Sequence, residues 1–135
     1  MTRITPRGAL DSGLLTVALL WLLAVQAAAA DLVIANKDNG RAFRVNVDQK
    51  IIVDLRDPGG GGYNFLIPEH DKDVLKMLGE RHIPWSEPRR MGDFGRMVYE
   101  FQAQKEGQTV LVIPIKRPWE KESQTYLKVT ISVRP

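Results

Sequence analysis

The chain has 135 residues, a formal net charge of +3 and no cysteine. That length suits one ordinary domain, and the missing cysteines exclude a disulfide framework, thiolate metal ligation and lipid attachment at a processed N-terminal Cys. So mild a positive excess does not indicate a nucleic-acid partner, because such binding rests on clustered phosphate-neutralising charge. The adjacent pair Arg89 and Arg90 in "EPRRMG" reads as solvated loop.

The first thirty residues have the layout of a secretory signal. Arg3 and Arg7 give a positive start, "GLLTVALLWLLAV" (residues 13–25) is an apolar core, and "QAAAAD" sets Ala28 and Ala30 in an AxA arrangement. Cleavage is expected between Ala30 and Asp31. The core is shorter than the roughly 18 apolar residues that span a bilayer, which favours a removed signal over an anchor. The expected organisation is a signal peptide at 1–30 and one domain at 31–135, secreted or periplasmic and free of the membrane. Cleavage takes away Arg3, Arg7 and Asp11 and leaves a net charge of +2. The remaining domain has to stand on its core alone, which chains much above ~60 residues can do.

In chain order, "DLVIAN" (31–36) reads as a first strand. After the turn signal Asp38-Asn39-Gly40, "AFRVNVD" alternates strictly, with Phe43, Val45 and Val47 on one face and Arg44, Asn46 and Asp48 on the other. Asp48-Gln49 marks a turn before "KIIVDL" (50–55). Four consecutive glycines in "DPGGGGYNF" (57–65) then interrupt the pattern, and "YNFLI" (63–67) resumes it. "DKDVLKML" (71–78), with Val74, Leu75 and Leu78 at helical spacing, reads as a helical turn or short helix. "RMVYEFQA" puts Met97, Tyr99, Phe101 and Ala103 on one side. The turn Glu106-Gly107-Gln108 precedes "TVLVIPI" (109–115). The last strand, "TYLKVTISV", sets Leu127, Val129, Ile131 and Val133 against Lys128, Thr130 and Ser132. The sum is an all-β, immunoglobulin-like antiparallel sandwich of about seven strands with one short helical turn. Polar alternation leaves no long exposed apolar edge, so a monomer is expected.

Enzyme chemistry finds little support. His70 and His82 sit in polar or proline-bearing segments without partners at metal-ligand spacing and read as loop residues, so no metal or cofactor is expected. Ser86, Ser123 and Ser132 lack a nucleophile-elbow context, and Asp71 and Asp73 resemble acidic residues at a helix start. The glycine run lacks the Lys-Ser or Lys-Thr of a phosphate loop and opens onto a strand-like segment instead of a helix.

Three irregular segments remain: "DPGGGGYNF", "RRMGDFGRM" and "KRPWEKESQ". Loops of a sandwich cluster at its two poles, where a rigid scaffold can present them to a partner. The third segment holds Trp119 beside Arg117 and Pro118, and Trp and Arg are enriched in binding hot spots. Taken alone, Trp119 reads first as a core or loop-packing tryptophan, and Trp85 in "HIPWSEP" as the anchor of a long connection.

From about Val33 to Val133 the chain resembles the chagasin family, immunoglobulin-like inhibitors of papain-type cysteine peptidases. The family carries an Asn-Pro-Thr-Thr-Gly-Tyr/Phe loop, a Gly-x-Gly-Gly loop and an Arg-Pro-Trp loop in that order. Here they stand as Asp57, Pro58, Gly59, Gly60, Gly61, Gly62 and Tyr63; as Gly92, Asp93, Phe94 and Gly95; and as Arg117, Pro118, Trp119 and Glu120. The resemblance implies an exported inhibitor whose three loops wedge into the cleft of a papain-like, cathepsin L-type peptidase and block its catalytic cysteine reversibly without being cut. The glycine loop would sit at the catalytic centre and the other two would flank it. A non-inhibitory β-sandwich module that binds another protein or a glycan is the alternative. The chain also departs from the family pattern: Asp57 replaces Asn, Gly59 to Gly61 stand where two threonines belong, Phe65 replaces Trp, and Phe94 replaces the third-position Gly. Ordering each glycine costs about 0.5–1 kcal/mol more than Ala, so weaker inhibition than in the family at large, or a retuned target, is expected. Asp57 adds a carboxylate whose desolvation would weaken binding further unless it caps the turn.

Overall fold

A computed structural model describes residues 30–85 and 93–135. The expected signal segment before Ala30 lies outside those residues, as do Ser86, Arg89, Arg90 and Gly92.

Alternating apolar side chains can be buried only if two sheets face each other, and the chain forms two of four strands each. The strands are β1 (Leu32–Ala35), β2 (Ala42–Asn46), β3 (Lys50–Arg56), β4 (Asn64–Phe65), β5 (Leu75–Ile83), β6 (Arg96–Ala103), β7 (Gly107–Lys116) and β8 (Gln124–Arg134). One sheet runs β1-β3-β6-β5 and the other β2-β8-β7-β4. Pairing is antiparallel except for β1 with β3 and β2 with β8. The all-β sandwich expected from the periodicity is the architecture found.

The inner faces match the alternation strand by strand. Ile51, Val53, Leu55, Tyr99 and Phe101 of the first sheet and Leu111, Ile113, Leu127, Val129 and Ile131 of the second are almost wholly buried. Pro114 interrupts β7 from inside, where a missing N–H would break the ladder. The register to β8 shifts there, from Ile113 opposite Leu127 to Pro114 opposite Thr125, so the proline sits at a bulge. Its carbonyl accepts a hydrogen bond from Leu66 N–H at 2.9 Å, which ties the chain after β4 to β7.

Of the helical turn or short helix expected over residues 71–78, a single turn forms and a strand follows it. The amides of Val74 and Leu75 donate to the Asp71 carbonyl at 3.2 and 3.0 Å, which closes one turn, and Leu75 then opens β5. Val74 and Leu75 are buried as a helix would have had them, but Leu78 is 44% exposed. β5 is an edge strand, and six of its nine residues are exposed, Lys76, Glu80 and Arg81 among them. Its apolar pattern is therefore short, and Val74, Leu75 and Leu78 coincide with helical spacing. The one helical segment among the described residues is a 3-10 turn, Asn36–Asp38.

That 3-10 turn joins the two sheets through one buried carboxylate. Asp38 accepts from Ala35 N–H at 2.9 Å and from the Arg41 guanidinium at 2.7 Å. The Ala35 bond first, and then Arg41, hold its pKa below the usual carboxylate range against the opposing effect of burial. A depressed folded pKa gives stability that is present above the unfolded pKa and lost as pH falls through the folded value. Asp38→Asn is expected to lower the urea midpoint at pH 7. The gap to wild type should narrow as pH falls below about 4, where the unfolded chain's Asp takes up its proton while the folded carboxylate still holds its charge, and close as the folded carboxylate is protonated further down.

Candidate functional site

The pole of the sandwich that carries the three loops is set by strand register. Arg56, the last residue of β3, stands opposite Arg96, the first of β6, so residues 57–63 leave the first sheet beside Gly95, which leads into β6. On the second sheet, Asn64 pairs with Lys116 and Ile115 with Gln124, which brings the return of the glycine loop alongside the β7–β8 turn. The described residues of all three irregular segments therefore lie at one end. An aromatic group supports them from below, with Phe65 edge-on to Tyr126 at 5.7 Å and to Tyr99 at 6.2 Å. Tyr126 also donates its hydroxyl to the Arg56 carbonyl at 2.6 Å and so bridges the two sheets under the loops.

The loops are built against one another. Asp57 N–H donates to the Gly95 carbonyl at 2.9 Å, which joins the first loop to the second. Asp57 also caps its own turn: one carboxylate oxygen accepts from Gly59 N–H at 2.8 Å, and the other lies 3.1 Å from His82 Nε2. The expected penalty for a bare carboxylate therefore does not arise. In the second loop Asp93 caps Gly95 N–H at 3.1 Å. In the third, Glu120 accepts from the Arg117 side chain at 2.8 Å and from its backbone N–H at 3.2 Å, while Glu120 N–H donates back to the Arg117 carbonyl at 3.0 Å. The hydrogen bond to Arg117 leads in lowering the Glu120 pKa, and the same bond raises that of Arg117.

Two glycines are required by their surroundings. Gly59, at φ +72, has the Phe94 ring where a Cβ would lie, and Gly95, at φ +94, has the Ile83 carbonyl there. Gly60 is different, since a Cβ would meet nothing within 4 Å. The aromatic rings lie over the same region: the Arg117 guanidinium stands 4.8 Å from the Tyr63 ring and 5.5 Å from that of Trp119, and a Cβ on Gly62 would be 3.0 Å from Trp119. Trp119 is nonetheless 69% exposed, so it is not a core tryptophan. Trp85 is 39% exposed at the start of the β5–β6 connection.

The structure thus brings Asp57, Gly59, Gly62, Tyr63, Phe94, Gly95, Arg117, Trp119 and Glu120 together, with Pro58, Gly60, Gly61, Asp93 and Pro118 in the same three segments. Gly92 lies outside the described residues. His82 was expected in a loop and stands instead on β5. No local pattern marks its contact, which depends on a bulge in that strand and on a partner 25 positions away. His70 packs edge-on to Phe101 at 5.3 Å. Among the described residues, no group of three or more His, Asp or Glu could hold a metal ion.

A comparison with protein families matches residues 44–133 to the Chagasin family peptidase inhibitor I42. The chain belongs to the chagasin family. The match opens inside β2, closes inside β8 and takes in all three loops, and it places the protein among peptidase inhibitors and not among enzymes. A search of curated proteins finds no match. Among solved structures, the chain is similar to the cysteine protease inhibitor EhICP2 from Entamoeba histolytica at 18% identity and a TM-score of 0.61, covering 78% of this chain and 96% of that one. It is also similar to amebosin at 14% identity and a TM-score of 0.59, covering 78% of this chain and all of that one. At such identities the likeness is one of fold.

For this chagasin-family tip, glycine substitutions separate backbone need from mere loop flexibility. Gly60→Ala is expected to leave stability unchanged or raise it by about 0.4–1 kcal/mol, because it restricts the unfolded chain without a native clash. Gly95→Ala should cost more than about 1 kcal/mol. Urea unfolding of the two variants beside wild type measures both.

Proposed function

We propose that the protein is an exported inhibitor of papain-like cysteine peptidases, of the cathepsin L type, and that its three-loop tip wedges reversibly into the active-site cleft. Family membership supplies peptidase inhibition, and the three loop motifs suit the papain-like class. The observation that carries the mechanism is the convergence of the loops at one pole, cross-bonded through Asp57 and Gly95, with Trp119 held out beside them.

The physics of occlusion fits that shape. A chain that blocks a thiolate without being cut brings backbone close while keeping its carbonyls off the line of attack, and side chains there would hold it away. The glycine loop offers backbone alone at its crest. Its neighbours supply area, since a tryptophan can bury roughly 150–250 Å² on docking. A loop already hydrogen-bonded in the free protein has less freedom to lose on binding, and such pre-organisation is a main determinant of affinity. Export follows from the N-terminal segment, and the inhibitor would meet its target outside the cytoplasm as a monomer.

The test is a titration of the purified protein starting at Asp31 against papain and a cathepsin L-type peptidase, following residual activity and the intactness of the added chain. Progressive inhibition with the chain intact is expected. No inhibition at micromolar protein, or digestion within residues 59–62, would overturn the proposal. Trp119→Ala should weaken inhibition by about 2 kcal/mol, roughly 30-fold. Its melting temperature should hold, because a residue so exposed contributes little to the fold.

A further inference from the structure

The hydrogen bonds within the loops are accounted for by the wedge; the contact from β5 is not. β5 pairs with β6 in two registers. Leu75 stands opposite Ala103 and Met77 opposite Phe101, but after a bulge Gly79 stands opposite Glu100, Glu80 opposite Tyr99 and His82 opposite Met97. Side chains alternate along a strand, so without the bulge Gly79, Arg81 and Ile83 would continue the inward face of Leu75 and Met77. The extra residue moves Glu80 and His82 onto that face. Asp57, just past the end of β3, keeps the parity of Leu55, and its carboxylate meets the His82 ring at 3.1 Å.

We propose that His82 is a positioning residue of the inhibitory tip, which holds Gly59 through Asp57 and does so more firmly when its ring is protonated. The path is a relay of hydrogen bonds. His82 Nε2 lies against one Asp57 oxygen, the other oxygen accepts from Gly59 N–H at 2.8 Å, and Asp57 N–H reaches the Gly95 carbonyl at 2.9 Å. A neutral imidazole carries one proton, and only the tautomer with that proton on Nε2 can donate to the carboxylate; in the other, two lone pairs face each other. A protonated ring donates from both nitrogens, and the bond to a carboxylate is then charge-assisted. Acid therefore populates the bonded arrangement.

The charged groups around His82 are consistent with this sign. Glu80 shares its face of β5 two positions earlier, and Met97 is its neutral partner on β6. Arg81 and Arg96 occupy the opposite face, the latter paired with Asp54 at 3.3 Å. Asp93, from the β5–β6 connection, turns its carboxylate to Gly95 N–H. Asp57 also stands where the family pattern has Asn, and an Asn would reverse the preference: its amide would donate to the lone pair of a neutral ring and lose that bond on protonation.

The effect on inhibition rests on the function proposed above, while the coupling of His82 to Gly59 does not, so the two are read separately. In the free protein, the Gly59 amide and His82 ring resonances are followed together by nuclear magnetic resonance from about pH 8 to about pH 5. It should titrate together with the His82 ring in wild type and stop doing so in His82→Gln. A Gly59 amide that ignores the His82 titration overturns the proposal, whatever the inhibitor does. Inhibition constants against papain are then compared as the ratio of His82→Gln to wild type at each pH, which cancels the peptidase's own pH dependence. The ratio should rise to about two- to five-fold at the acid end, the range of a solvent-exposed ion pair. For Asp57→Asn the trend should reverse, with inhibition relatively weaker in acid. A ratio flat with pH would overturn the role in the tip, whereas wild type that titrates at Gly59 but does not inhibit papain would overturn the function and keep the relay.

Discussion

Everything else in this molecule depends on two alternating faces burying each other without a covalent staple. No cysteine is available, so the register of each strand is fixed by which of its side chains enter the shared core. A slip of one residue would expose Tyr99 and Phe101 and bury Glu100. That penalty keeps β3, β6, β7 and β8 in register, and with them the points where the loops leave. The departures from regular pairing are local. Pro114 and the Met77–Gly79 bulge each shift the ladder once, and both lie beside segments that lead to the tip.

The tip departs from the family pattern in ways that compensate one another. Phe94 stands where the family has glycine, and Gly59 stands where it has threonine; the Phe94 ring fills the space that a side chain at 59 would need. Asp57 in place of Asn carries a full charge, and that charge meets His82 on a strand outside the motif. Phe65, in place of a tryptophan, still makes the aromatic support by lying edge-on to Tyr126 and Tyr99. Read one at a time, these replacements look like losses. In three dimensions they are pairs.

Where alternation was strict, the sequence was enough. Phe43 and Val45 on β2, Met97 to Ala103 on β6 and Leu127 to Val133 on β8 face as their period requires, and those strands also carry the ends of two loops. β5 was not legible because an exposed edge strand buries little, and the bulge breaks its period within nine residues. The loops could be found in the sequence by their motif order, but not their mutual contacts. The Gly59–Phe94 fit and the His82–Asp57 contact join residues 35 and 25 positions apart, and no local pattern reports on such distances. Exposure of Trp119 was undecidable for the same reason, since a tryptophan in a loop is as often packed as presented.

The four glycines then have unequal jobs. Read from the sequence, all four add conformational freedom, at about 0.5–1 kcal/mol each relative to alanine when ordered. Gly59 is already fixed before any partner arrives, by the Asp57 cap on one side and the Phe94 ring on the other. Gly62 lies against Trp119, whose neighbour Arg117 is locked by Glu120. The ordering cost at those two positions therefore falls on folding, where the whole core offsets it, and not on binding. Among the described residues, a Cβ on Gly60 would meet nothing within 4 Å and one on Gly61 only the Tyr63 ring, two positions on. In the proposed wedge, the freedom left to lose in a cleft is concentrated in these two residues, where a backbone would have to fit a surface it did not fold against.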